Sequence, residues 1–156
     1  MTKTGLGQDS HAFDIKNKPL ILGGIVFDHP QGLKGNSDAD VILHSITNAI
    51  SSVTGVNILG AKADELCQQG ITDSAQYLKL ALYDLGDWKI IHIAIAIECL
   101  VPKITPKIEQ LKANIAHLTH TQPNDIGITA TTGEGLTAFG RGEGIQAFSI
   151  ISVAKI

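Results

Sequence analysis

SDADVILHSITNAISSV, residues 37–53, is the stretch whose reading decides the fold. Val41, Ile42, Ile46, Ala49, Ile50 and Val53 recur at the three- and four-residue spacing that gathers side chains on one face of an α-helix. The spacing predicts a helix from Ala39 to about Val53. Asn36, Ser37 or Asp38 can cap its start by offering a side-chain oxygen to an orphan backbone N–H, and Gly55 can end it.

Working outward, Lys3 to Phe13 reads as a first strand, Pro19 to Phe27 with its Gly23-Gly24 pair as a short hairpin-like element, and Gly32 to Asp38 as a polar loop. Downstream, Asn57 to Gly70 is expected to be an irregular surface loop. Asp73 or Ser74 opens a second helix with Tyr77, Leu78, Ala81, Leu82 and Leu85 on one face and Gly86 as its stop. Ile-rich Trp88 to Leu100 reads as a buried strand. Pro102 and Pro106 frame a further helix through Ile108, Leu111, Ile115 and Leu118, and Asp125 to Thr132 and Ile145 to Val153 close as strands. The order ββαα-βαββ predicts an α+β fold, a mixed β-sheet with helices packed on one face, in a single domain over residues 1–156.

Of the 156 residues, 44% are hydrophobic and 17% charged, enough for a packed core and too apolar for disorder. A net charge of -3 leaves no basic footprint for nucleic acid. The densest apolar run, Ile90 to Val101, is broken by His92 and Glu98, so no membrane span is expected. Met1 to Gly7 shows no signal or transit peptide, and two cysteines, Cys67 and Cys99, make no disulfide framework. A reducing cytoplasmic setting is expected, or a plastid-like stroma in an organelle-bearing source.

Asp9 and His11 stand at i and i+2 of the predicted strand, so both side chains leave the same face. His44 lies about a turn into the predicted helix. One carboxylate and two imidazoles suit a zinc ion that keeps a fourth position open for substrate. The spacing alone does not join His44 to the pair, and it leaves open a reading of His11 and His44 as ordinary polar residues at element edges. The same holds for Gly133 to Gly144, with five Gly in twelve positions. Its backbone N–H groups can approach a phosphate closely, Arg141 offers an anion fork, and Glu134 can hold a harder cation such as Mg²⁺. A surface hairpin with a solvated Arg–Glu pair is the plain alternative.

Asp9 to Phe13 (DSHAF), Ser37 to His44 (SDADVILH), Val101 to Pro106 (VPKITP), Ala130 to Glu134 (ATTGE) and Gly140 to Ile145 (GRGEGI) together resemble the 2-C-methyl-D-erythritol 2,4-cyclodiphosphate synthase family of the non-mevalonate isoprenoid pathway. The resemblance implies a lyase that is a homotrimer with active sites in clefts between subunits. Such an enzyme turns 4-diphosphocytidyl-2-C-methyl-D-erythritol 2-phosphate into the 2,4-cyclodiphosphate and CMP. It implies zinc, or another divalent metal, on Asp9, His11 and His44, and Mg²⁺ on Glu134. Thr132 maps onto the threonine that polarises the attacked phosphate and Asn36 onto a histidine that contacts the substrate phosphate. Ser37, Ile58, Gly60, Ala130, Thr131 and Ala138 map onto substrate-binding positions. Cys99, Pro102 and Lys103 map onto the segment around the cytosine ring, and Arg141 onto an arginine near the trimer axis. No nucleic-acid or membrane partner is implied.

The chain departs from the family pattern at Asn36 (histidine in the family), Ala39 (glycine), Asn48 and Ile58 (aspartates) and Gly135 (lysine). These losses fall on polar contacts to ribose and methylerythritol rather than on the metal ligands. They predict reduced turnover, or alternatively a diverged, weakly active or inactive paralogue that binds another phosphorylated ligand at the retained metal site.

Overall fold

The computed structural model describes residues 1–156. In chain order its elements are strands β1 (Thr2–Ala12), β2 (Leu20–Leu22) and β3 (Ile25–Phe27), helices α1 (Val41–Thr54), α2 (Ala61–Gln68) and α3 (Ser74–Asp84), strand β4 (Trp88–Glu98), helix α4 (Ile108–Thr119), and strands β5 (Ile126–Thr131) and β6 (Gly144–Lys155). β1, β6, β4 and β5 make one sheet in that order; β4 and β5 are parallel and the other pairs antiparallel. α1 lies across β1 and β6, and α4 covers β5 on the same face. The expected mixed sheet with helices on one face is the observed architecture.

α1 forms as its periodicity predicts. Val41, Ile42, Leu43, Ile46, Ala49 and Ile50 are fully buried, and each large aliphatic side chain so buried contributes about 1.5–3 kcal/mol. Opposite them, the sheet supplies Ile93, Ile95, Ile97, Ile145, Ala147, Ile151 and Val153. Gly55, at φ +78°, ends the helix by donating its N–H to the Ser51 carbonyl. The cap is Asp40, not Asn36, Ser37 or Asp38: its carboxylate accepts the Leu43 N–H at 3.0 Å. It also accepts the N–H groups of Gly23 (2.8 Å) and Gly24 (2.7 Å). Both glycines have positive φ in the two-residue turn of the β2–β3 hairpin. One buried carboxylate thus ties the hairpin to the start of α1. Burial pushes its titration up to about 6, against the pull of three N–H donors.

Two expectations need correction. Residues 61–68, expected in a loop, form α2. Only Ala63 of its eight residues is buried, so no apolar stripe marks it, yet Ala, Lys, Glu, Leu and Gln are strong helix formers and glycines flank it at Gly60 and Gly70. β4, expected to be buried, is covered on one side only: Ile93, Ile95 and Ile97 face the helices, while Ile91 and Ala96 are exposed. No element covers the second face of the sheet, where Leu6 pairs with Ile150 and Gln8 with Phe148. Leu6, Phe148 and Ile150 are 57%, 42% and 44% exposed.

Candidate metal centre and its cleft

The pleat of β1 places Gly5, Gly7, Asp9 and His11 on the face beneath α1. Two strand residues advance about 6.7 Å and four helix residues about 6 Å, so the elements step past each other nearly in register. At the first two steps only glycine fits. A Cβ on Gly5 would lie 2.1 Å from the Ala49 carbonyl oxygen, and one on Gly7 would lie 2.0 Å from that of Ser45. The close approach lets the next two side chains of the strand reach the helix.

There Asp9, His11 and His44 converge. Asp9 Oδ2 lies 3.0 Å from His11 Nε2 and 3.1 Å from His44 Nδ1, and their ligand atoms all lie within 4.8 Å of one another. His11 Nε2 is buried and, despite the short distance to Asp9, has no aligned hydrogen-bond partner. A buried ring nitrogen left orphaned beside a carboxylate oxygen and a second ring nitrogen fits a divalent ion, and the donor set is one zinc accepts. Electrostatics favour the charged pair. Burial works to raise the Asp9 carboxyl, but contact with the two imidazoles outweighs it and holds the group below its usual range. Burial likewise works to lower His11, and the Asp9 carboxylate outweighs it, so His11 titrates higher than an ordinary histidine. The remaining nitrogen of His44, Nε2, lies 2.7 Å from Ser74 Oγ.

These groups open into a cleft of about 350 Å³. Asn36, Ser37 and Gly60 line it, as expected of substrate-contacting positions, together with Asn48, Leu59, Asp64, Cys67 and Tyr77. Asn48 follows His44 by one helical turn, a spacing that marks it, and donates to the Gln8 carbonyl at 3.1 Å. Tyr77, Cys67 and Ser74 carry no such signal: Tyr77 reads as a core residue and Ser74 as a helix opener. Ile58 stands apart. Its side chain is 5% exposed and packs in the core, off the lining of the cleft, because the loop turns the apolar group inward.

The other expected residues gather at the opposite edge of the sheet. Asp9 pairs with Ala147, Ala147 with Ile97, and Ile97 with Ala130, so the metal centre and Ala130 lie in one row three strand spacings apart, about 14 Å. Around Ala130 stand Thr131, Thr132 and Glu134. Thr132 Oγ accepts the Glu134 N–H at 3.3 Å, which leaves its hydroxyl proton free to donate. Glu134 is exposed, with φ +58°. Cys99 is buried, its thiol pushed up to about 11 by burial, with Sγ 3.6 Å from the Pro102 carbonyl; Lys103 is exposed beside it. Ala138 is half-buried in the loop that Glu98 anchors through Thr137. Arg141 pairs with Glu143 at 3.2 Å in solvent, a contact worth little by itself. One chain therefore assembles the metal half of the expected site and, at its far edge, the glycine-rich half.

Among known proteins, the sequence model described as the YgbB family matches residues 2–154. The 2-C-methyl-D-erythritol 2,4-cyclodiphosphate synthase of Chlamydia muridarum is 48% identical over 157 residues, covering 98% of this chain and 88% of that one. The bifunctional IspDF of Campylobacter jejuni superposes with a TM-score of 0.89 at 32% identity, over all of this chain and 43% of that longer one. A CDP-bound structure of a 2C-methyl-D-erythritol-2,4-cyclodiphosphate synthase gives a TM-score of 0.84 at 26% identity, covering 97% of this chain and 100% of that one.

Proposed function

The chain belongs to the YgbB family, and from that premise we propose that it is a 2-C-methyl-D-erythritol 2,4-cyclodiphosphate synthase. It would close the 2-phosphate of 4-diphosphocytidyl-2-C-methyl-D-erythritol onto the nearer phosphorus of the diphosphate and release CMP. The observation that carries this reading is the convergence of Asp9, His11 and His44 in one cleft, in a chain that shares nearly half its residues with a synthase of that name. No feature favours an inactive paralogue, and the lost family contacts at Asn36 and Asn48 still place polar groups on the cleft.

Asp9, His11 and His44 would hold zinc or a similar divalent ion, which when bound supplies a Lewis acid for a phosphate oxygen. Glu134 would hold Mg²⁺ against the diphosphate. The Thr132 hydroxyl, with its proton free, would donate to the attacked phosphate. Ser37 and Asn36 would contact the phosphorylated methylerythritol end, Gly60 would line the substrate site, and Cys99, Pro102 and Lys103 would enclose the cytosine. Phosphoryl transfer asks a protein mainly for in-line positioning and charge neutralisation, and the nucleophile here belongs to the substrate itself.

Those roles need both sheet edges in one cleft, so the reading requires more than one copy, taken as a homotrimer of single-domain chains. The uncovered sheet face with Leu6, Phe148 and Ile150 supports such an assembly, since an apolar patch of this kind ordinarily marks a contact surface. The absence of any helix long and apolar enough to cross a membrane accords with a cytoplasmic setting.

The test is release of CMP from the diphosphocytidyl substrate, with His44→Ala and Glu134→Ala each inactive. Co-expressed, the two variants should recover about a quarter of wild-type activity, because each site then draws one half from each of two neighbouring copies at random. Recovery near zero would place both halves in one chain and overturn the shared-site reading.

A further inference from the structure

Ser74 is fully buried at the first position of α3. It is not needed as a helix cap, because Asp73 already accepts the Ala75 N–H at 2.9 Å. Its hydroxyl instead lies between two side chains: it donates to Asp38 Oδ1 and sits 2.7 Å from His44 Nε2. Asp38 is itself fixed. It accepts the N–H of Asp40 and that of Ser74, each at 3.1 Å, and its own N–H donates to the Thr72 carbonyl at 2.9 Å.

Proton counting settles the direction of the chain. A carboxylate only accepts, and a serine has one hydroxyl proton. With that proton on the Asp38 side, Ser74 Oγ has only lone pairs left for His44, so His44 Nε2 must carry the hydrogen. The neutral ring is then bare at Nδ1, the atom 3.1 Å from Asp9 Oδ2. Two acceptors so close repel unless a cation lies between them.

We propose that Asp38 and Ser74 are positioning residues that lock His44 in the Nε2–H tautomer, so that Nδ1 is the atom it offers to the metal. The inference rests on the metal-site reading given above. A ligand imidazole commonly donates its other N–H to a fixed partner, and loss of that partner lowers metal affinity about 10- to 100-fold.

The test is zinc affinity by competition with a chelator, alongside the ¹⁵N spectrum of the histidine rings in the zinc-loaded protein. Wild type should show a slowly exchanging His44 Nε2–H with zinc on Nδ1. Ser74→Ala should bind zinc about 10- to 100-fold more weakly and lose the slow Nε2–H. Asp38→Asn should also weaken binding, because an amide that donates to Ser74 turns the hydroxyl toward His44 and moves the ring proton to Nδ1. Zinc on His44 Nε2 in wild type would overturn the proposal whether or not either variant folds. Equal affinity in Ser74→Ala would overturn the relay alone, whereas wild type that takes up no zinc would overturn the metal site and the relay with it.

Discussion

Gly7→Ala should disturb the metal centre without touching any ligand. A Cβ at Gly7 would lie 2.0 Å from the Ser45 carbonyl oxygen and 2.3 Å from the Ala49 nitrogen, where ordinary contact begins at 3.4 Å. Both obstacles are backbone, so no rotamer change relieves them, and α1 must lift off β1 by about 1.4 Å, the difference between the contact limit and 2.0 Å. His44 rides on that helix next to Ser45, while Asp9 stays on the strand. Metal–ligand distances tolerate roughly 0.2 Å, so the centre should open. Overpacking of this kind costs about 1–3 kcal/mol, or roughly 2–12 °C in Tm for a chain of this size. Thermal melts with and without zinc, together with zinc titration, would read both effects. Gly127→Ala is the control: its Cβ would meet nothing nearer than a His92 ring carbon at 4.0 Å. A Gly7→Ala protein with wild-type Tm and zinc affinity would refute the idea that the close approach of helix to strand sets the site.

Further outcomes follow from particular groups. Asp40 titrates near 6 in the fold against 3.8 free, so its contribution to stability is whole below about pH 3.8 and is lost as pH rises to about 6, a change of order 3 kcal/mol; Asp40→Asn should flatten that part of a pH-dependent denaturation curve, while turning an amide toward the Gly24 N–H should cost about 1–3 kcal/mol. His11 titrates above 6.5 in the metal-free chain, so its protonated form stabilises the fold below pH 6.5 and that contribution disappears as pH rises through the higher folded value. Zinc must displace this proton, and calorimetry at several pH values should show affinity climbing across the same window. Asn36→His restores an imidazole at an exposed position on the cleft and should raise kcat/KM about tenfold, the worth of one hydrogen bond to a charged group; unchanged kinetics would count against a substrate contact at Asn36. Ile58→Asp should do the reverse of a restoration: it puts a carboxylate in a core position 5% exposed, and should lower Tm sharply with no gain in rate.

What the sequence reveals of this fold depends on how each element buries its side chains. α1, α3 and α4 each turn one apolar face inward, and their periodicity marks them. α2 buries one residue and leaves no stripe, so it passes for a loop. β4 is rich in isoleucine and alanine along its whole length, and composition cannot tell a strand covered by its own chain from one left open. In the site, Asp9 and His11 declare a shared direction through strand alternation, but only the packing of Gly5 and Gly7 under α1 joins them to His44. Asp38 and Ser74, 36 residues apart, are linked by no pattern at all; their contact exists because the turn before α3 folds back over the start of α1.

The placement of Asp9 and Ala130 on opposite margins of one sheet separates two properties that usually vary together. In the proposed assembly an isolated protomer would own a whole ion-binding pocket and only part of a reaction chamber. On dilution, metal content per chain should therefore hold steady while specific activity falls away, and the concentration at which it falls would report how tightly the copies hold one another.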